Sequence, residues 1–155
     1  QATGIFHSFS QSSVLMSSME SLFLQAEAAS RGWISENAET LYDQAIRASF
    51  QFYKTDLNSL ETYLAQEEVD FSQASNPIER IIEQKWLALN SVSSVEAWND
   101  FRRLGMPNFP ATAATGIEGR PYRLMYPETE RGTNLENVEL QGNDIITEAK
   151  VWWMP

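Results

Sequence analysis

Carboxylates are the most abundant groups in this chain that could do chemistry. Glu20, Glu27, Glu36, Glu39, Glu67, Glu68, Asp100, Glu128 and Glu130 are among them. Hydrolysis of a glycosidic bond needs two such groups facing each other across about 5–10 Å. Glu20 and Glu27 share one helix face, about 10 Å apart by helical rise. That face also carries Met19, Phe23 and Ala26, so it is a packing face. Solvated helix surface and buried ion pairs are therefore the reading, and no catalytic residue is assigned. His7 is the only histidine. It has no second histidine or acidic pair beside it, and reads as a surface loop residue. No Ser-His-Asp set, glycine-rich phosphate loop, EF-hand or metal-spaced cluster is present, so neither metal nor cofactor is expected.

Three other groups have chemical scope. Arg102-Arg103 could clamp an anion. At a helix C-terminus, though, guanidinium groups satisfy carbonyls and complement the dipole, which is the structural reading. Lys85 stands at the edge of an apolar stripe, where an unpaired ammonium is too costly to bury. It must find an acceptor on a neighbouring helix, for which Glu20 and Glu27 are the candidates, or snorkel to water along Trp86. Aromatic rings could stack on sugars. Trp33, Trp86, Trp98, Trp152 and Trp153 lie in or beside helical stripes and read as core. Phe109, Tyr122 and Tyr126 fall in loops and are the freer candidates for ligand contact.

The elements that would hold these groups are mainly helical. Ile78, Ile81, Ile82, Trp86 and Leu89 recur at helical spacing. A second helix follows, with Ser93 and Glu96 spaced as a capping box and Ala97, Trp98, Phe101 and Leu104 facing inward. Gly105 suits its C-terminus, and Pro107 prevents a restart. Earlier, from about Ser13, Leu15, Met19, Leu22, Phe23, Ala26, Ala29 and Trp33 keep to one face, with Gly32 at the helix end. Ser35 is placed to cap the next helix, whose inward stripe runs through Ala38, Leu41, Tyr42, Ala45, Ile46, Ser49, Phe52 and Tyr53. A turn of two or three residues makes this pair antiparallel. Its alanines and tyrosine resemble a tetratricopeptide unit. A shorter helix is expected around Leu57, Leu60, Tyr63 and Leu64. Pro77 sits well in the first turn of the helix that follows.

After Gly105, prolines and glycines break every periodic run. Residues 106–121 read as an extended loop, 128–138 as a helical turn or two, and Lys150-Val-Trp-Trp153 closes the chain. Burying an aromatic ring is worth roughly 2–3 kcal/mol, so Trp152 and Trp153 are expected to pack back on the body. The fold class is all-α, with a helical scaffold over 13–105 and a loop-rich closing segment over 106–155.

At 155 residues the chain suits one domain. Its formal net charge of -10 argues against a nucleic-acid partner. It has no cysteine, hence no disulfide or thiolate chemistry. No apolar run approaches the roughly 20 residues of a membrane helix. A chain that starts at Gln1 reads as a processed or excised piece.

Several separate stretches together resemble the SusD/RagB family. They are Glu20-Ser-Leu-Phe-Leu-Gln-Ala-Glu-Ala-Ala-Ser-Arg-Gly-Trp33, Tyr42-Asp-Gln-Ala-Ile-Arg-Ala-Ser49, Ile82-Glu-Gln-Lys-Trp86 and Glu96-Ala-Trp-Asn-Asp-Phe-Arg-Arg-Leu-Gly-Met-Pro107. Arg123-Leu-Met-Tyr-Pro127, Glu130, Asn134, Asn137-Val138 and Lys150-Val-Trp-Trp153 extend the likeness. It runs from about Ser13 to Trp153, in the order of the family's C-terminal part. The resemblance implies a surface-exposed outer-membrane lipoprotein of Bacteroidetes-type bacteria. Such a protein sits as a lid on a SusC-like TonB-dependent transporter and captures oligosaccharides, or sometimes peptides, for import. It implies tetratricopeptide-like helix pairs, no catalytic activity, an N-terminal remainder as a packing partner, and membrane attachment only through a lipid anchor outside this chain. Glu20, Glu27, Lys85, Trp86, Trp98, Arg102, Arg103, Trp152 and Trp153 are read as structural. A tetratricopeptide-like interaction scaffold without a ligand is the second reading, and a glycan-cleaving enzyme the third.

Overall fold

Ser17 opens the first helix of the structure, a computed structural model that describes residue 10, residues 12–108 and residues 119–155. Its hydroxyl accepts the Glu20 N–H at 3.2 Å, and this cap fixes the start of α1 (Ser18–Ser30). The helix therefore begins later than periodicity predicts. Leu15 lies outside it and is 95% exposed. Past the last turn Gly32 takes a φ of +72°, which a side chain would resist. Asn37, not Ser35, caps α2 (Ala38–Phe52), its side-chain oxygen accepting Thr40 N–H at 2.8 Å. Ser35 falls two residues too early to reach that turn. The connection between the helices is accordingly longer than expected, and the two pack along their lengths as an antiparallel pair.

The core lies between them. Met19, Phe23 and Ala26 of α1 meet Leu41, Tyr42, Ala45 and Ile46 of α2, all buried. Ala26 and Ala45 are fully buried, as close backbone approach requires. Tyr42 is polar at one end, so its hydroxyl needs a partner in the core. It donates to the Val69 carbonyl at 2.6 Å, between the rings of Phe23 and Phe71. A 3-10 turn at Leu57–Ser59, α3 (Leu60–Leu64) and a second 3-10 turn at Phe71–Gln73 carry the chain round to α4 (Pro77–Leu89). Asn76 caps α4, and Pro77 occupies its first turn as expected. α4 packs on both helices of the first pair, closing the core with Ile81 and Leu89. Among the described residues every regular element is helical, and the scaffold is built of tetratricopeptide-like helix pairs.

α5 (Ser94–Leu104) departs from its apolar pattern. Ser93 stands at its N-cap, but its side chain makes no capping bond, and the Glu96 carboxylate instead accepts from Asn99. Ala97, Trp98, Phe101 and Leu104 are only half-buried; the one buried residue of the helix is Asp100. Asp100 supplies what Lys85 needs. Lys85 Nζ lies 2.9 Å from Asp100 Oδ2, with both side chains buried. The expected partners Glu20 and Glu27 are not used. Arg103 reaches across from α5 and takes both Glu27 oxygens at 2.5 and 2.8 Å, and Arg31 adds a further bond at 2.8 Å. Arg103 also holds Asp100 Oδ1 at 2.8 Å. Glu27 is thus already saturated, while Asp100 projects toward Lys85 from the helix packed on α4. Glu20 is buried and forms no ion pair among the described residues.

The closing segment carries α6 (Glu128–Thr133) and α7 (Leu135–Leu140), packed on each other. It is fastened to α5 through ring faces. Trp98 Nε1 donates to the Pro121 carbonyl at 2.7 Å. Phe101 and Tyr122 stack at 5.8 Å, only 10° from parallel. The Arg102 guanidinium is sandwiched between Trp98, at 4.2 Å, and Trp153, at 4.8 Å. The two arginines thus serve carboxylates and indoles, not the helix-end carbonyls expected of them. Trp33 is 72% exposed beside Arg31, and Trp152 is 94% exposed, so neither is core. Only Trp153 of the terminal pair packs on the body. Trp153→Ala should therefore cost about 1–2 kcal/mol, the worth of a partly desolvated cation–π contact, and not the several kcal/mol expected from burying both rings. Urea unfolding measures this; a loss above 3 kcal/mol would show the tail more deeply engaged.

Candidate functional site

The closing segment folds around Asp144. Arg123 Nη1 lies 2.7 Å from its carboxylate, Arg131 closes on the other oxygen, and the Tyr126 N–H donates to it at 3.2 Å. Partial burial pushes the Asp144 carboxyl up, but the Tyr126 N–H and the two guanidiniums outweigh this and hold it below the ordinary value of 3.8. Gly142, at φ +86°, turns the chain into this knot, and the Asn143 side chain accepts Ile145 N–H at 3.0 Å. Tyr122 N–H donates to the Ile146 carbonyl at 2.7 Å, joining the two halves of the segment.

This scaffolding leaves an open cleft of about 520 Å³, large enough for a sugar ring or more. Arg123, Tyr126, Gln141, Asn143, Ala149, Lys150, Val151 and Trp152 line it. The Arg123 guanidinium lies over the Tyr126 ring at 4.8 Å. Trp152 offers a nearly bare indole. Two amides, two cations and two aromatic rings suit a hydroxyl-rich ligand, with rings to receive C–H faces and amides to exchange hydrogen bonds with hydroxyls. None of the lining residues is a carboxylate.

A second cleft, of about 230 Å³, opens between α4 and α5. Trp86, Leu89, Trp98, Phe101 and Pro121 make it apolar. Its rings are largely engaged: Phe101 stacks on Tyr122 and lies under Arg120, and Trp98 lies under Arg102. A third, of about 150 Å³, separates α2 from α4; Tyr53 and Tyr63 line it, and their hydroxyls bond to Ala88 and Gln84.

Of the residues singled out as ligand candidates, Tyr126 lines the large cleft. Tyr122 does not line it: its ring stacks on Phe101 and lies 5.6 Å from the Lys150 ammonium. Phe109 and His7 lie outside the described residues. Trp152, Gln141, Asn143, Arg123 and Lys150 were not picked out as ligand contacts. Trp152 lies in a turn with Trp153, where no side-chain period separates the two rings, so the sequence carried no signal for it. Glu27 is committed to two arginines. Burial pushes its carboxyl up, but Arg103 and then Arg31 outweigh this and keep it below the ordinary 4.5. It is an anchored anion, not a proton donor. Among the described residues no group of three or more His, Cys, Asp or Glu could hold a metal ion, and no helix is long and apolar enough to cross a membrane.

Comparison with known proteins agrees with this architecture. The profile of the SusD-like family described as starch-binding and associating with the outer membrane matches residues 3–127. No curated protein sequence matches. A SusD homologue from Bacteroides fragilis superposes with a TM-score of 0.75 at 40% identity, over 91% of this chain and 35% of that one. A Bacteroidetes SusD-like protein gives 0.76 at 30% identity, over 92% and 30%. A chitin-binding protein gives 0.72 at 27% identity, over 89% and 32%. The chain spans about a third of the length of these solved relatives. By its family profile and by its structural likeness, the chain belongs to the SusD-like family.

Proposed function

We propose that the protein binds oligosaccharide at the outer-membrane surface, without catalysis, for import through a SusC-like TonB-dependent transporter, and that the large cleft contributes to that binding. The observation that carries the reading is Trp152. An indole that stays 94% exposed gains little for the fold of this stretch of chain. Beside Tyr126 and two side-chain amides it makes a stacking platform with hydrogen-bonding groups at hand. The family description names starch, and one solved relative is named as chitin-binding. Both are polymers of linked, hydroxyl-rich pyranose rings. Arrival of a surface lipoprotein at the membrane, and its pairing with a transporter, belong to the same reading.

Isothermal titration with malto-, chito- and plant-cell-wall oligosaccharides tests it. At least one glycan should bind. Trp152→Ala should weaken that binding by about tenfold, which corresponds to 1.4 kcal/mol, while leaving the melting temperature unchanged. Full affinity retained in Trp152→Ala and in Tyr126→Ala would remove the cleft from the function. Co-purification of a barrel transporter with the protein would support the import role, and its failure in membranes that contain the transporter would count against it.

A further inference from the structure

The charges around the large cleft run against those of the chain. The protein carries 21 acidic side chains against 11 lysines and arginines. A cleft on such a surface should on average be acidic. This one is lined by Arg123 and Lys150 with no carboxylate among its lining residues. Asp144 does not cancel them. It lies outside the lining and is shared between Arg123 and Arg131, so the trio keeps one positive charge. Glu148 also stays outside the lining and receives the Asn143 amide at 3.4 Å. Arg123 is held in place by Asp144 and by the carbonyls of Leu124, at 2.9 Å, and Asn143, at 3.3 Å, which leaves some of its five donors unassigned. Lys150 is exposed; its ammonium lies over the Tyr122 ring at 5.6 Å and donates at 2.5 Å to a main-chain oxygen of Pro155, the last residue of the sequence.

We propose that this cleft selects an anionic saccharide, its sugar ring on Trp152 and Tyr126 and its acidic group between Arg123 and Lys150. The inference rests on the reading of the cleft as a glycan site and narrows its ligand class. Two cations in a cleft of a strongly acidic protein attract an anion locally while the rest of the surface repels it. A neutral glycan would take ordinary hydrogen bonds from these donors but would lack the charge pairing. Guanidinium and ammonium groups bind the carboxylate of a uronic acid and the oxygens of a sulfate ester through the same charge-assisted hydrogen bonds.

The test is titration calorimetry of the protein with oligogalacturonate, with its fully methyl-esterified form, and with a sulfated galactan oligosaccharide of equal length. The ester keeps the rings and removes the charge. The expected result is binding of at least one anionic oligosaccharide about tenfold tighter than the ester. The ratio should shrink as salt rises from 10 to 150 mM, where the Debye length falls from about 30 to about 8 Å. Lys150→Gln should move the ratio toward one, and Arg123→Gln should do so further. Lys150→Gln removes no ion pair with a side chain among the described residues, so it reports even if Arg123→Gln disturbs the Asp144 knot. Binding of uronate or of sulfate tells which acidic group the cleft takes, and either supports the proposal. Equal or tighter binding of the ester overturns the anionic selection and leaves the glycan reading intact. Binding of none of the three, with a neutral glycan bound elsewhere or not at all, overturns the proposal together with the placement of the site.

Discussion

Asp100→Asn is expected to lower stability by about 3–5 kcal/mol, the cost of leaving a buried charge without its counterion. The substitution keeps the shape of the side chain and removes only its charge. Lys85 is 2% exposed, and Asp100 is its ion-pair partner among the described residues. With the carboxylate gone, the ammonium must be dehydrated unpaired, lose its proton, or drag α4 toward solvent. Lys85→Met is milder in its consequence for charge, because Asp100 retains Arg103. The informative variant is therefore the pair, Lys85→Met with Asp100→Leu, which replaces two buried ions by apolar groups of similar size. It should recover most of the loss, since a buried ion pair often contributes little net stability over a well-packed apolar one. Urea unfolding of the three variants measures this. Asp100→Asn within 0.5 kcal/mol of the parent would mean that Lys85 already reaches water.

Glu27→Gln is expected to cost about 2–3 kcal/mol at neutral pH, as hydrogen bonds to charged groups do when one partner is lost. Glu27 is 4% exposed and joins α1 to α5 through Arg103. The dependence on acidity is the sharper part of the expectation. The carboxyl titrates below 4.5 in the folded protein, so its contribution is fully present above about pH 4.5. It is lost as pH falls through the folded-state value, because the unfolded chain then binds the proton more readily. The stability gap between parent and Glu27→Gln should therefore be constant from pH 5 to 8 and shrink steadily as pH falls below 4.5. A gap that persists unchanged at pH 3 would show that the contact acts by shape and not by charge.

The helical scaffold was legible because its buried positions repeat at helical spacing: Met19, Phe23 and Ala26, then Leu41, Tyr42, Ala45 and Ile46, then Ile81, Lys85 and Leu89. Burial of Lys85 could be read the same way. Its partner could not, because periodicity says which face is inward and not which neighbour meets it. Asp100 stands on a helix whose large residues Trp98 and Phe101 look more like the buried face than it does. Helix ends were legible to within a few residues, since Ser17 and Asn37 compete with nearby residues of equal capping propensity. The closing segment was the least legible part. It holds together by guanidinium–ring stacks and by a carboxylate shared between two arginines, neither of which leaves a period in the sequence. The family resemblance told more about it than any local pattern, yet could not say which of two adjacent tryptophans would face outward.

The attachment of the closing segment to α5 through ring faces has a consequence for cooperativity. Such a junction covers little apolar surface compared with the core between α1, α2 and α4, so the segment can open while the scaffold stays folded, as a separate unit of sub-global unfolding. Every residue of the large cleft belongs to that unit. A ligand held there raises the free energy of the local opening through mass action and does not touch the main transition. Heating would then unfold the scaffold at the same temperature with ligand or without it. Binding would show itself instead as slowed amide exchange and slowed proteolysis confined to residues 119–155.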